Sequence, residues 1–215
     1  MGKPKFTKRR RPFKSQIPVF YIFCEGKNTE PDYFNSFRIS TVKIKPLGLG
    51  LNTLGLVEKA IRRIKTERFD GASDQKWCVF DKDDFSSDLF DKAIDKAEKN
   101  GFGVAWSNQS FEYWLLLHFE DHQGGSIHRD DYQSRINRFI KDEKAQYNID
   151  GKKQVSEAFF RELSASEPVS GVPRLHLAIS RAARIQKDKI LSLPSRSESC
   201  TTVYQLMEIL NEYVQ

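Results

Sequence analysis

The sequence predicts an α/β fold, a mostly parallel sheet flanked by helices and followed by a helical C-terminal extension. Three observations carry this reading. Residues 19–24 and 77–80 are short, continuous apolar runs rich in aromatic and β-branched side chains, the pattern of strands buried on both faces. Each run ends abruptly in acid, Glu25-Gly26 after the first and Asp81-Lys82-Asp83-Asp84 after the second. Around them, helical stretches alternate with strand-like ones, an order that implies one sheet with right-handed crossovers.

The first strand is bounded by Pro18 and Gly26, and Thr29, Glu30 and Pro31 follow as helix-start signals. Residues 31–40 then carry Tyr33, Phe34 and Phe37 at helical spacing. Residues 41–45 alternate at period two and predict a half-exposed second strand. Residues 46–52 form a glycine-bearing loop that lacks both the dinucleotide glycine fingerprint and the lysine of a phosphate-binding loop. No Walker-type motif occurs anywhere, which argues against an ATPase.

Residues 53–69 predict an amphipathic helix with Leu54, Val57, Ala60, Ile61 and Ile64 on one face. The acidic strand follows at 76–81, then a helix over 86–100 stopped by Gly101. Residues 102–106 read as a fourth strand ending in Ser107-Asn108, and 110–119 as an apolar helix in which Trp114 belongs to the core. Residues 121–153 are polar, with few core residues beyond Tyr132, Ile136, Phe139 and Ile140, and read as a solvent-facing insertion with one helix. Three helical segments end the chain, at 155–163, 174–189 and 201–213, broken by Pro168, Gly171, Pro173 and Pro194. The resulting division is a basic leader (1–16), an α/β core (17–120), the insertion (121–153) and a helical extension packed on the core (154–215).

At 215 residues the chain suits one domain, or one domain with an appendage. No apolar run approaches the roughly 20 residues that span a bilayer, and the basic N-terminus lacks the apolar core of a signal peptide. Cys24, Cys78 and Cys200 are odd in number, without metal-like spacing, and two lie in predicted buried strands. A cytoplasmic protein with reduced thiols and no membrane partner is the expectation.

The net charge of +6 is unevenly placed. Residues 1–14 hold seven cations and no acid; without them, 28 basic residues face 29 acidic ones. Such an arm, with Arg9, Arg10 and Arg11 at its centre, suits a phosphate backbone as well as it suits a disordered solubilising leader. Lys27 in the first acidic turn and Arg181 and Arg184 in the helix at 174–189 are further candidate contacts to nucleic acid. For the arginine pair a solvated helix face is the stronger reading.

In a parallel sheet the two acidic ends lie on one edge, where open α/β folds place their sites. Glu25 and the Asp81/Asp83 pair then converge as a metal site does, with both aspartates on one side provided strand geometry persists through the turn. The bland readings are a carboxylate favouring the next helix N-terminus, and a solvated acidic loop. His118, His122 and His128 lie near one another in sequence, but a zinc site needs four convergent ligands and none is legible here.

Residues 24–34 (Cys-Glu-Gly-Lys-Asn-Thr-Glu-Pro-Asp-Tyr-Phe), 79–84 (Val-Phe-Asp-Lys-Asp-Asp) and 107–119 (Ser-Asn-Gln-Ser-Phe-Glu-Tyr-Trp-Leu-Leu-Leu-His-Phe) resemble the RloB / AbiLii family. These are Toprim-like proteins of prokaryotic phage-defence and abortive-infection loci. The likeness covers most of residues 17–119 and the start of the last helix, and neither the leader nor the insertion carries any of it. It implies a Toprim-like (Rossmann-like) core in a Mg²⁺- or Mn²⁺-dependent nuclease acting on DNA or RNA, restrained by a separate ATPase. Asp81 and Asp83 map onto the metal-binding pair and Glu25 onto the glutamate that is a ligand or general acid/base. Glu112, with Ser107 near it, would hold a second metal, or else Glu112 is a helix-dipole carboxylate and Ser107 or Asn108 an N-cap. Asp84, Ser107 and Asn108 would be supporting residues. A homo-oligomer is compatible with this reading. Two rivals stand beside it: a non-catalytic nucleic-acid-binding or scaffold subunit, and another Toprim chemistry such as primer synthesis or strand passage. Strand passage needs a tyrosine nucleophile, and Tyr21, Tyr33 and Tyr113 all fall in core-like patterns.

Overall fold

A computed structural model describes residues 17–123, 125–189 and 191–214. Four strands, β1 (Val19–Cys24), β2 (Lys43–Gly48), β3 (Gln75–Asp81) and β4 (Gly103–Ser107), pair in the order β2-β1-β3-β4. All three pairings are parallel. The two apolar runs, β1 and β3, take the central positions and are buried nearly throughout, as their continuous hydrophobicity requires.

The chain leaves β1 toward one edge of the sheet, returns through β3 and continues to the other edge with β4. Its direction therefore reverses between β1 and β3, which makes the C-terminal ends of these strands the crevice of the sheet. Glu25 and Asp81 stand at those ends.

Strand β2 corrects the sequence expectation. It spans Lys43–Gly48, taking in Pro46 and Gly48 that had marked a loop, rather than residues 41–45. Pairing along the whole length of β1, with Ile22 opposite Pro46 and Cys24 opposite Gly48, overrides the local turn signals. Proline is tolerated because β2 is an edge strand.

Helix α1 (Thr29–Asn35) starts earlier and ends sooner than the predicted 31–40. Helix α2 (Thr53–Ile64) is capped by Asn52, whose side chain accepts from the Gly55 N–H, and it stops short of the predicted residue 69. Helix α3 (Ser87–Lys99) is capped by Ser86 and ended by Gly101 at φ +72°, a left-handed turn that glycine adopts freely. Helices α2 and α3 pack together, joined by a Lys96–Glu58 ion pair at 2.6 Å. On the opposite face α1 meets α4 (Glu112–Leu117), where Tyr33 stands edge-on to Phe111 and Trp114. All six residues of α4 are buried.

Among the described residues four further α-helices follow: α5 (Tyr132–Asn137), α6 (Glu157–Ser164), α7 (Arg174–Asp188) and α8 (Val203–Asn211). The segment before α8 covers the free edge of β4. Thr202 N–H donates to Trp106 O and Asn108 N–H donates to Cys200 O, both at 2.8 Å, so backbone groups that would invite another strand are satisfied.

Most of the 121–153 segment is exposed, as its polarity suggests, and Tyr132, Ile136 and Ile140 are core residues as expected. Phe139, by contrast, is 44% exposed, and the segment is anchored at more points than the sequence indicates. Ile127, Tyr132, Ile136, Ile140 and Tyr147 are buried in the same core as the sheet. A few large apolar residues spaced along a polar stretch suffice to seat it, because burial of each aromatic ring outweighs the polar residues left outside.

Among the described residues no helix is long and apolar enough to cross a membrane. Cys24, Cys78 and Cys200 are all buried free thiols. Tyr21, Tyr33, Tyr113 and Trp114 are core residues, as their sequence patterns predicted.

Candidate active site

The turn after β1 is fixed by its own backbone. Glu25 N–H donates to Val79 O at 3.0 Å, and Gly50 N–H donates to Glu25 O at 2.9 Å. The carboxylate is thereby held between β2 and β3. Its Oε2 accepts from the Asp81 backbone N–H and from the Thr53 hydroxyl, each at 3.3 Å. One turn later Glu30 bends back, and its Oε1 accepts from Gly26 N–H at 3.0 Å. A side chain at Gly26 would place Cβ 2.2 Å from Glu30 Oε2, so the glycine is what lets this buried carboxylate approach.

Asp81 is the last residue of β3, and its Oδ1 is shielded from solvent with no hydrogen-bond partner. Strand geometry does not continue past it. Asp83 adopts φ +42°, its N–H donating to Gln109 O at 3.0 Å, while Lys82 N–H donates to Ser107 O at 2.9 Å. The expectation that period-two alternation aligns the two aspartates is therefore corrected. Asp83 reaches the same cavity through a left-handed turn stapled to the loop after β4.

That cavity, of about 440 Å³, is lined by Glu25, Glu30, Asp81, Asp83 and Glu112 together with Lys27, Arg129, Lys152 and Lys153. Glu112, in the first turn of α4, is buried, and its Oε1 accepts from the Tyr147 hydroxyl at 2.8 Å. Tyr147 also shares a 3.1 Å hydrogen bond with Thr29 Oγ1, tying α1 and α4 together across the cavity wall.

Burial dominates the electrostatics. It raises the Glu25 pKa to about 8, with the charges of Asp83 and Glu30 adding to the rise against the Asp81 N–H and Thr53 hydroxyl. Glu30 is raised to about 7, again mainly by burial, with Glu112 and Asp83 contributing. Asp81 is pushed well above the usual carboxylate range by burial and then by Glu30, Glu112, Asp83 and Glu25. Clustered carboxylates with raised pKa values in a cleft are a recurrent mark of functional sites.

The donor set suits a hard divalent cation. A buried carboxylate oxygen with no donor is costly to leave unmatched, and oxygen ligands with one or two carboxylates are what Mg²⁺ takes. Among the described residues no three His, Cys, Asp or Glu groups already meet at one point. The acids surround the cavity, and two of them have cationic neighbours: Arg129 Nη1 lies 2.6 Å from Asp83 Oδ1, and Lys153 Nζ lies 3.7 Å from Glu112 Oε1.

Several other candidates sit elsewhere. Ser107 Oγ bonds Thr201 Oγ1 at 3.0 Å, and the Asn108 amide donates to Pro194 O and Ser195 O. Both anchor the segment that covers β4 and do not line the cavity. Asp84 is exposed, 3.7 Å from Arg129 Nη2. Arg181 donates to Leu117 O at 2.8 Å, and Arg184 contacts Asp121 Oδ1, Gln123 and His122 O. These two arginines tie α7 to the end of α4 and the chain beyond it. Arg9, Arg10 and Arg11 lie outside the described residues.

His118 is buried between Tyr33 and the Trp114 carbonyl, and burial lowers its pKa to about 3. His122 bonds the Tyr113 hydroxyl at 2.9 Å, and His128 lies beside Asp130.

Glu30, Arg129, Tyr147 and Lys153 were not singled out as site residues from sequence. Glu30 was legible only as a helix-start residue. The other three belong to the 121–153 segment, and nothing in their spacing shows that the segment folds back over the sheet edge.

The family model described as RloB-like protein matches residues 20–210 of the chain. No curated protein matches it, and no solved structure does.

Proposed function

The chain belongs to the RloB-like family, and from that membership and the acidic sheet edge we propose that it is a metal-dependent nuclease. The observation that carries the proposal is Asp81 Oδ1, buried without a partner in a cavity that Glu25, Glu30, Asp83 and Glu112 also line. Glu25, Asp81 and Asp83 are the residues that would hold Mg²⁺ or Mn²⁺. The ion would stabilise charge developing on the phosphate oxygens and orient the phosphodiester.

The chain's own groups have distinct tasks in this reading. Where Glu25 is not itself a ligand to the cation, its pKa, raised by burial to about 8, leaves it placed to give or take a proton beside Asp81. Thr53 and the Asp81 N–H fix the orientation of its Oε2. Glu112 is held by the Tyr147 hydroxyl. Lys27, Arg129, Lys152 and Lys153 supply positive charge for the substrate backbone. The sequence contains no Walker-type motif, so the ATPase that controls such an effector in an antiphage system would be a separate chain. DNA and RNA are both admissible substrates.

The test is cleavage of supercoiled plasmid, single-stranded DNA and total tRNA by the full chain with Mg²⁺ or Mn²⁺, beside an Asp81→Ala/Asp83→Ala variant. Metal-dependent cleavage absent from the variant supports the nuclease and names its substrate class.

A non-catalytic nucleic-acid-binding or scaffold subunit is the second reading. It is favoured by the lack, among the described residues, of three ligand groups already gathered at one point. It predicts no Mn²⁺-dependent melting shift, whereas the nuclease reading predicts a shift that Asp83→Asn removes.

A further inference from the structure

We propose that Arg129 is an exchangeable counter-ion. It neutralises Asp83 in the cation-free protein and moves to a substrate phosphate when a divalent cation takes Asp83. This rests on the metal-dependent reading above and assigns a positioning role to a residue outside the motifs that carry the family resemblance.

Arg129 lies in a single 3₁₀ turn, Arg129–Asp131, of the segment that folds over the sheet edge. Its Nη1 is 2.6 Å from Asp83 Oδ1, and Nη2 is 3.7 Å from Asp84 Oδ2. One guanidinium thus reaches Asp83 in the cavity and the exposed Asp84 outside it. The Arg129 and Asp83 side chains are 39% and 33% exposed, so water screens the pair. Ion pairs of that exposure contribute little to stability, and breaking one costs correspondingly little.

Two arginines on α7 are less free to move. Arg174 is buried with its Nη1 on Glu162 O, and Arg181 is tied to Leu117 O. Arg129 instead lines the cavity, beside Lys27, Lys152 and Lys153.

The electrostatic logic favours exchange. A divalent cation at Asp83 repels the guanidinium already there, and a phosphodiester entering beside that cation attracts it. The planar fork of arginine matches two phosphate oxygens at once, which a carboxylate-bound lysine ammonium does not. The same charge that shields Asp83 before substrate arrives then orients the phosphate over the carboxylates. Arg129 consequently opposes cation binding alone and supports nucleic-acid binding only when the cation is present.

The experiment compares the full chain with Arg129→Gln, Arg129→Lys and Asp83→Asn. Calorimetric Mn²⁺ titration is the first arm. The second is binding of a fluorescent single-stranded oligonucleotide, as DNA and as RNA, in EDTA and in Ca²⁺. Arg129→Gln is expected to bind Mn²⁺ about three- to ten-fold more tightly and Asp83→Asn to bind it weakly. In Ca²⁺, Arg129→Gln should lose about five-fold or more in affinity for the oligonucleotide, and in EDTA almost nothing. Arg129→Lys should fall between wild type and Arg129→Gln, which guards against a folding defect in the glutamine variant.

Equal Mn²⁺ affinity in wild type and Arg129→Gln, with Asp83→Asn still impaired, overturns the exchange and leaves the metal site standing. An oligonucleotide defect of the same size in EDTA and Ca²⁺ also overturns it, making Arg129 a constant phosphate contact. No Mn²⁺ binding by any form overturns both the exchange and the metal-dependent reading.

Discussion

Glu25 Oε2 accepts a hydrogen bond from the backbone N–H of Asp81 at 3.3 Å. The two acidic strand ends are therefore joined through main chain, and the position of one carboxylate depends on the backbone that carries the other. That link exists because β1 and β3 are neighbours at the point where the sheet reverses direction. Its consequences can be measured.

Asp81→Asn should separate stability from function. The buried acid is pushed strongly toward its neutral form, and asparagine has nearly the same shape. Cation-free melting should change little, while the Mn²⁺-induced shift disappears. Thermal melts with and without Mn²⁺ read both quantities. A large loss of cation-free stability would show that the carboxylate serves the fold.

The pH dependence of stability follows from Glu25. Its folded pKa of about 8 exceeds the ordinary 4.5, so the folded state holds the proton more tightly than the unfolded one. The resulting stabilisation is complete below about pH 4.5 and is lost as pH rises through 8. It amounts to at most about 5 kcal/mol. Denaturant melts from pH 5 to 9 should therefore show a decline for wild type that is shallower in Glu25→Gln. Mn²⁺ affinity should rise over the same window, because ionisation supplies the ligand.

Gly48→Ala should displace the first acidic turn from a distance. A Cβ at Gly48 would lie 2.7 Å from Gly26 O and 2.9 Å from the Lys27 Cα, backbone atoms that cannot swing aside as a side-chain end can. Overpacking of this kind costs about 1–3 kcal/mol. Urea unfolding should register the loss, and Mn²⁺ affinity should fall with it although residue 48 is no ligand.

Tyr147→Phe removes the hydroxyl that donates to Glu112 and bonds Thr29. Leaving a buried carboxylate oxygen short of its donor costs about 1–3 kcal/mol. A double-mutant cycle with Glu112→Gln should show coupling above about 0.5 kcal/mol, the range found for residues in direct contact. Additive effects would mean that the two side chains do not act together.

Much of this architecture is legible in the chain. Continuous apolar runs identified the two central strands, and their abrupt acidic ends located Glu25 and Asp81 at the edge where α/β folds bind ligands. Gly101 ended α3 as expected, and the core positions of Tyr33 and Trp114 follow from helical spacing. These features are local: they depend on composition and period within a dozen residues, so sequence alone determined them.

Tertiary pairing decided the rest. The extent of β2 was set by register against β1, which overrode a proline and a glycine that signal a turn on their own. Asp83 reaches the cavity because its N–H is bonded across to Gln109 O, a contact with no local signature. Arg129, Tyr147 and Lys153 meet the carboxylates only because buried aromatic residues draw the 121–153 segment onto the core. Sequence separation hides such partners, since a charge or a hydroxyl far along the chain acquires its role from what folding places beside it. The carboxylates of the cavity were written mostly into the motifs. Their counter-ions were chosen by the fold.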